Sequence, residues 1–343
     1  MPVPTGTRDQ KGVKGLHAAN PPEEDEGRIN NLAGKLRSNR VAGLLGPAAL
    51  LTAASLWGGS YSVNKVALEV VHPLFLIAAH NLVAVTAMAP WAARDAFRTG
   101  LRPLLGAAGM GLLTFAAAVC LLGGLTGTSP GLAAFIIVQL SIVTPLLAAL
   151  FSQGAITRRL GLAILFVVAG MVFVFLLGER TAYSRATLLV PIATLLLSFH
   201  MLALDKLTHR MKALVLVWVQ AGVTAGLALT LTLALGHWPS IPWELPGRVF
   251  LAAFYGGLAG SFGAYLLQTL GQRRTPVTHA GIFISLESVI ALVISVLAGL
   301  ESLGPRRFLG FALILTGTVI AQLDAGRLQA EAQEHRAELG PPI

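Results

Sequence analysis

Uncharged apolar runs of about twenty residues recur along this chain between residues 43 and 324. A helix of roughly 20 residues spans the hydrocarbon core of a bilayer. In lipid every backbone polar group must find its partner within the structure, so repeated runs of this kind fold as a helical bundle. About ten runs are separable by length and flanking charge. They lie near 43–70, 73–92, 103–125, 129–152, 158–178, 186–205, 213–236, 248–271, 276–299 and 306–324. Composition agrees: 55% of the residues are hydrophobic, 12% are charged, and the mean hydropathy is +0.71. A soluble domain carries about 25% charged residues.

The formal charge of +9 invites a nucleic-acid reading, but the basic residues sit in short clusters between apolar runs, as the positive-inside rule requires. Arg28, Lys35, Arg37 and Arg40 precede span one, and Arg94, Arg98, Arg102, Arg158 and Arg159 follow on the same side. Lys206, Arg210, Lys212, Arg273, Arg274 and Arg327 continue that set. The opposite side holds Arg180, Arg185, Arg248, Arg306 and Arg307. The bias puts both termini in the cytoplasm of a multi-pass protein of the cell's inner membrane. Residues 1–40, with Pro21-Pro22-Glu23-Glu24-Asp25-Glu26, read as a disordered cytoplasmic tail. Their polarity ahead of span one leaves no expected cleavable signal peptide. Residues 325–343 read as a second cytoplasmic tail. Cys120 stands alone in an apolar run, so neither a disulfide framework nor a thiolate metal site is expected.

A repeat shows at a spacing of about 140 residues. Pro145 and Ser288 fall at matching places in spans four and nine. The basic pairs Arg158-Arg159 and Arg306-Arg307 follow, each leading to a small-residue motif, Ala169-Gly170 and Thr316-Gly317. Asn64-Lys65 in span one matches Asp205-Lys206 in span six. With five spans per copy, the second copy enters the membrane inverted, the pattern of secondary transporters whose sites lie between the halves.

Leu56-Trp57-Gly58-Gly59-Ser60, with Lys65 and Pro73 after it, resembles the opening of the EamA repeat in the drug/metabolite transporter superfamily. Gln272-Arg273-Arg274, Ser285-Leu286-Glu287, Gly299-Leu300-Glu301 and Gly310 with Thr316-Gly317 resemble the close of that family's second repeat. The resemblance implies an all-α fold of ten transmembrane helices in two inverted five-helix repeats, residues 43–178 and 186–324. It also implies a central cavity lined mainly by spans one, three, four, six, eight and nine. Three positions depart from the family pattern. His80 stands where arginine is common, Glu287-Ser288 replaces Glu-Pro, and Phe151-Ser152-Gln153-Gly154 lacks the acid that usually ends span four.

Glu287 is the costliest residue in the membrane, at about 2.5–3.5 kcal/mol for a central acid on insertion scales. It reads as a substrate or proton site, or as one half of an interhelical hydrogen bond. Trp57, Tyr61 and Lys65 recur at i, i+4 and i+8, an aromatic and cationic stripe suited to an amphipathic substrate or to packing and snorkelling. His80 and Asn81 in span two, and His200 in span six, serve as proton relays or helix-to-helix bonds. Gln139, Tyr265 and Gln268 are costlier to leave unpaired in lipid than the serines and threonines around them, which bond their own helices. The substrate-binding set is therefore Glu287, Trp57, Tyr61, Lys65, His80, Gln139, His200 and Tyr265; Glu287 and His279 are the proton-coupling candidates. Gly256 and Gly260 form a small-xxx-small pair for close packing of span eight.

No HExxH, GxSxG or P-loop motif occurs, which argues against an enzyme or a primary pump. No metal and no cofactor is expected; Asp205, with His200 and His209, lies at a basic membrane edge. The expected partners are a small-molecule substrate and the lipid bilayer, not nucleic acid, with the chain a monomer or homodimer. The reading is a secondary transporter, in the exporting direction, of metabolites, amino acids or drug-like compounds. An intramembrane acid/base enzyme and a non-transporting membrane partner or receptor are the rival readings.

Overall fold

The structure is a computed structural model that describes the backbone of residues 23–152, 157–175, 184–208, 211–239, 247–272, 274–275 and 277–338. Side chains are described from residue 44 onward, apart from 152, 204–206, 208, 277–280, 326, 328–330 and 332–338 within helices. Two units separate, Met1–Gly43 and Leu44–Ile343. In the first unit, residues 1–22 of the expected disordered tail lie outside the described residues, and helical backbone runs from Glu23.

The second unit carries helices throughout, and no strand occurs among the described residues. The elements are α1 (Glu23–Ala67, from residue 44 here), α2 (Pro73–Ala96), α3 (Leu101–Leu125), α4 (Pro130–Ile137), α5 (Leu140–Ser152) and α6 (Arg158–Phe175). After a 3₁₀ turn at Arg185–Leu188 come α7 (Leu189–Thr208), α8 (Ala213–Ala234) and α9 (Gly247–Phe254). A π-helical stretch, Tyr255–Ala264, leads into α10 (Tyr265–Gln272), then α11 (Val277–Leu297) and α12 (Pro305–Glu338). Eight helices among the described residues are long and apolar enough to cross a membrane, and Gly281–Leu297 is a shorter apolar one. Expected spans one and nine are not among the eight. In α1 the residues Ser60, Ser62, Asn64 and Lys65 lower the hydropathy, and in α11 the first four side chains are not described.

Local chemistry sets the ends and the breaks. His72 caps α2: its Nδ1 accepts from the Leu74 N–H at 3.2 Å, and Pro73, which has no N–H to satisfy, takes the first helical position. Span four is two helices, broken at Val138-Gln139, with Pro145 inside the second piece. Span eight shifts register instead, through a π stretch holding Gly256, Gly257, Gly260 and Gly263. Such a shift re-aims every later side chain on the helix. α11, which lacks the family's proline, runs unbroken past Glu287-Ser288, and the Ser288 hydroxyl donates to the Ser285 carbonyl.

The packing pairs helices across the two expected repeats. α2 packs on α8, α4 on α11 and α6 on α12, joining positions two, four and five of one repeat to the same positions of the other. α3 packs on α7; its counterpart is α1 against span eight, where the Tyr255 hydroxyl donates to the Leu56 carbonyl at 2.9 Å. The largest core cluster joins α1, α3, α4, α6, α7, α11 and α12 around Phe135 and Phe311, stacked with ring centroids 4.4 Å apart. The α6–α12 contact is close because Gly170 and Gly310 face each other.

Candidate functional site: a polar cavity beside the Tyr61–Glu287 pair

α1 contributes two different faces. At 100° per residue, Ser60 and Asn64 lie about 60° and 20° to one side of Trp57, while Tyr61 and Lys65 lie about 40° and 80° to the other. Trp57, Ser60 and Asn64 line a cavity of about 150 Å³. Tyr61 turns away from it, and its hydroxyl donates to Glu287 Oε1 at 3.0 Å. The expected single stripe of Trp57, Tyr61 and Lys65 therefore does not face one chamber. α1 approaches α11 this closely because Gly58 has no side chain: a Cβ there would stand 2.9 Å from the Glu287 carbonyl oxygen.

Lys65 is spent elsewhere. Its ammonium donates to the carbonyls of Leu125 (2.8 Å), Thr126 (3.1 Å) and Thr128 (2.9 Å). Those groups end α3, where orphan carbonyls and the helix dipole favour a cation. Three N–H groups on three acceptors leave the lysine no donor for a ligand.

The rest of the cavity wall comes from α2, α3, α8 and span eight. His80 and Asn81 enter from α2, Thr114 from α3, Gln220 and Thr224 from α8, and Gly260, Ser261 and Tyr265 from span eight. Trp57 and Tyr265 meet edge to face, with centroids 5.0 Å apart. His80 is buried. The ring packs directly on Gly256, and Gly257 packs on Val83 and on the His80 carbonyl oxygen. Gly260 has open space before it instead. The packing pair is therefore Gly256 and Gly257, not Gly256 and Gly260, because the π register moves residue 260 round to the cavity.

His200 stands one layer back. It is buried, and its Nε2 lies 3.0 Å from Gln220 Oε1. Gln139 sits at the α4–α5 break, where its Nε2 donates to the Phe135 carbonyl at 2.9 Å, outside the cavity lining. The side chains of His279 and Asp205, and all of His209, lie outside the described residues. The resemblance implied lining from spans four, six and nine. The lining comes instead from α1, α2, α3, α8 and span eight, because α4 is pressed onto α11: a Cβ on Gly131 would stand 2.9 Å from Leu292 Cδ1.

Gln220 is absent from the expected substrate-binding set, yet it is the polar centre of the α8 wall. Its Oε1 accepts from His200 and, at 3.5 Å, from the Thr114 hydroxyl. The signal was present: one amide in an apolar helix, with Thr224 one turn later on the same face.

Polar links between the two halves close both ends of the bundle. At one end Arg248 pairs with Glu69 at 3.0 Å, and His72 stacks on His237 with centroids 3.8 Å apart. There Glu301 also accepts from the Ser129 hydroxyl and, at 3.1 Å, from the Gly131 N–H, capping α4. Burial holds the Glu301 carboxyl above the usual range, against the pull of Ser129, Ser295, Gly131 and the Arg307 charge. At the other end Lys212 pairs with Asp95 at 2.8 Å, and the Thr157 hydroxyl bonds the Asp324 carboxylate.

Helices of both halves enclosing a polar cavity within a multi-pass bundle make this a membrane transporter. The profile described as "EamA-like transporter family" matches residues 44–176 and 184–322. This chain belongs to the EamA-like transporter family, within the drug/metabolite transporter superfamily. An "Uncharacterized transporter" of Archaeoglobus fulgidus is 23% identical over 278 residues, covering 80% of this chain and 84% of the relative. A solved structure described only as "Crystal structure of protein" matches with a TM-score of 0.57 at 19% identity, over 84% of this chain and 99% of that one. At that identity it speaks for the fold alone.

Proposed function

We propose that this chain is a secondary active transporter that exports small organic molecules by alternating access. In this reading ten helices, in two inverted five-helix repeats at 43–178 and 186–324, lie in the inner membrane with both termini cytoplasmic. Its chemistry is transport, not catalysis. One observation carries the reading: the cavity is walled by α1, α2 and α3 of the first repeat and by α8 and span eight of the second. A site shared by two repeats is where rocking one against the other changes access. The cross-repeat links at the two ends support the same reading, since each set is weak enough to break in turn. The exposed pairs Arg248–Glu69 and Lys212–Asp95 contribute about 0–1 kcal/mol each.

Glu287 is the proposed proton-coupling group. It stands behind the Trp57–Tyr265 wall, bonded to Tyr61 from the other repeat. The test is transport by Glu287→Gln in proteoliposomes across a pH series, beside its thermal stability. The expected result is a folded protein whose transport is lost or no longer follows pH. A wild-type rate and pH profile in the variant would leave Glu287 as a structural partner of Tyr61.

A further inference from the structure

The cavity's chemistry narrows what it takes, given the transporter reading above. None of its lining residues is Asp, Glu, Lys or Arg. The two ions nearest in the chain are committed: Lys65 to the end of α3, and Glu287 to Tyr61 across α1. A ligand bearing a net charge would enter without a counter-ion, and burying an unpaired charge is far costlier than burying a polar group that gains a hydrogen bond.

Hydrogen-bonding capacity, by contrast, is left open on the α8 wall. Gln220 lines the cavity, and among the described residues its Nε2 has only the Met110 sulfur, at 4.0 Å, for its two N–H groups. Buried polar groups normally have stronger partners, so this amide is a donor that a ligand's acceptor completes. Asn64 Oδ1 and His80 Nε2, which have no partner among the described residues, are covered by the protein itself, the latter against Gly256, and do not open on the cavity. Trp57 and Tyr265 supply aromatic surface beside it. The volume, about 150 Å³, is that of a cavity known to hold benzene.

We infer that the substrate is a small, planar, uncharged heterocycle carrying a hydrogen-bond acceptor. Its acceptor takes the Gln220 amide, and its ring lies against Trp57 or Tyr265. Amino acids and drug-like cations, which the sequence left open, are disfavoured at this site.

The experiment uses the purified full chain in nanodiscs and a set of probes of nearly one shape. Nicotinamide is neutral, nicotinate is its anion-bearing counterpart, and 1-methylnicotinamide is a cation; uracil and orotate form a second neutral and anionic pair. Binding is measured calorimetrically and by thermal shift. Nicotinamide or uracil should bind at least tenfold more tightly than its charged counterparts. Gln220→Leu should weaken that binding about tenfold, and Gln220→Glu should move the preference toward 1-methylnicotinamide. A charged probe that binds as tightly as its neutral counterpart overturns the inference, and so does failure of both neutral probes to bind. Counterflow in proteoliposomes separates the two readings. A charged compound that is carried sinks the substrate class and leaves the transporter standing. A neutral probe that binds but is never carried sinks transport and leaves the ligand class.

Discussion

Gly170 and Gly161 give the α6–α12 contact a test in which one substitution has opposite signs at two sites. A Cβ on Gly170 would stand 2.6 Å from the Gly310 carbonyl oxygen and 2.9 Å from the Ile314 backbone nitrogen. A Cβ on Gly310 would stand 2.9 Å from the Gly170 carbonyl oxygen. Both obstacles are backbone, so no rotamer change relieves them and the helices must part. Overpacking of this kind costs about 1–3 kcal/mol. Alanine returns about 0.8–1.0 kcal/mol of helix propensity, so Gly170→Ala should be destabilising by up to about 2 kcal/mol. Gly161, on the same helix, has nothing within 4 Å of a Cβ. Gly161→Ala collects the propensity gain without the clash. The difference between the two variants isolates the packing cost at about 1–3 kcal/mol. The assay is equilibrium unfolding of each variant in the same mixed micelles. The pair Gly170→Ala with Gly310→Ala should cost less than the sum of its parts, because the first substitution has already opened the gap. Equal stability of Gly170→Ala and Gly161→Ala would refute the close crossing.

Tyr61→Phe removes one interhelical hydrogen bond and should cost about 0.6 kcal/mol, at most about 1.7. In a double-mutant cycle with Glu287→Leu the two losses should be sub-additive; full additivity would mean that the pair does not interact in the membrane. Glu301, held above the usual carboxyl range by burial, binds its proton more tightly folded than unfolded. Its contribution to stability is therefore greatest below about pH 4.3 and is lost as pH rises through its raised pKa. Unfolding measured across pH should show that slope in the wild type and a flatter one in Glu301→Gln. For topology, a cysteine at Ser302 should react with an impermeant reagent added outside cells and one at Thr99 should not; the reverse pattern inverts the orientation.

Eight of the ten expected spans coincide with described helices long and apolar enough to cross a membrane, because lipid allows a chain few alternatives and long uncharged runs state their length directly. The polar residues were legible for the same reason: Trp57, His80, Tyr265 and Glu287 stand out against apolar neighbours, whatever they do. Their facing was not legible. A 3.6-residue period assumes a continuous helix, and span eight abandons it over Tyr255–Ala264. That is why Gly260 was grouped with the packing face when it belongs to the cavity. Span four breaks at Val138-Gln139, and Gln139, expected as a ligand group, turns its amide N–H back onto the Phe135 carbonyl, while its Oε1 has no partner among the described residues. Lys65 was ambiguous until the end of α3 supplied its three acceptors, and no local pattern encodes an acceptor sixty residues away.

Three acids of the second half are each bonded to a hydroxyl of the first. Glu287 takes the hydroxyl of Tyr61, Glu301 that of Ser129, and Asp324 that of Thr157, at sequence separations of 226, 172 and 167 residues. Each of these hydroxyls comes from the first half; Glu301 has in addition the Gly131 N–H and the Arg307 charge. A cation would bind a carboxylate strongly but lose its partner when the acid is protonated. A hydroxyl donates to the ionised acid and accepts from the neutral one, so the link survives either state. Interhelical bonds of this kind average about 0.6 kcal/mol, because the separated helices also find partners. Bonds that weak register the two halves against each other without locking them, as the proposed rocking around a shared cavity requires.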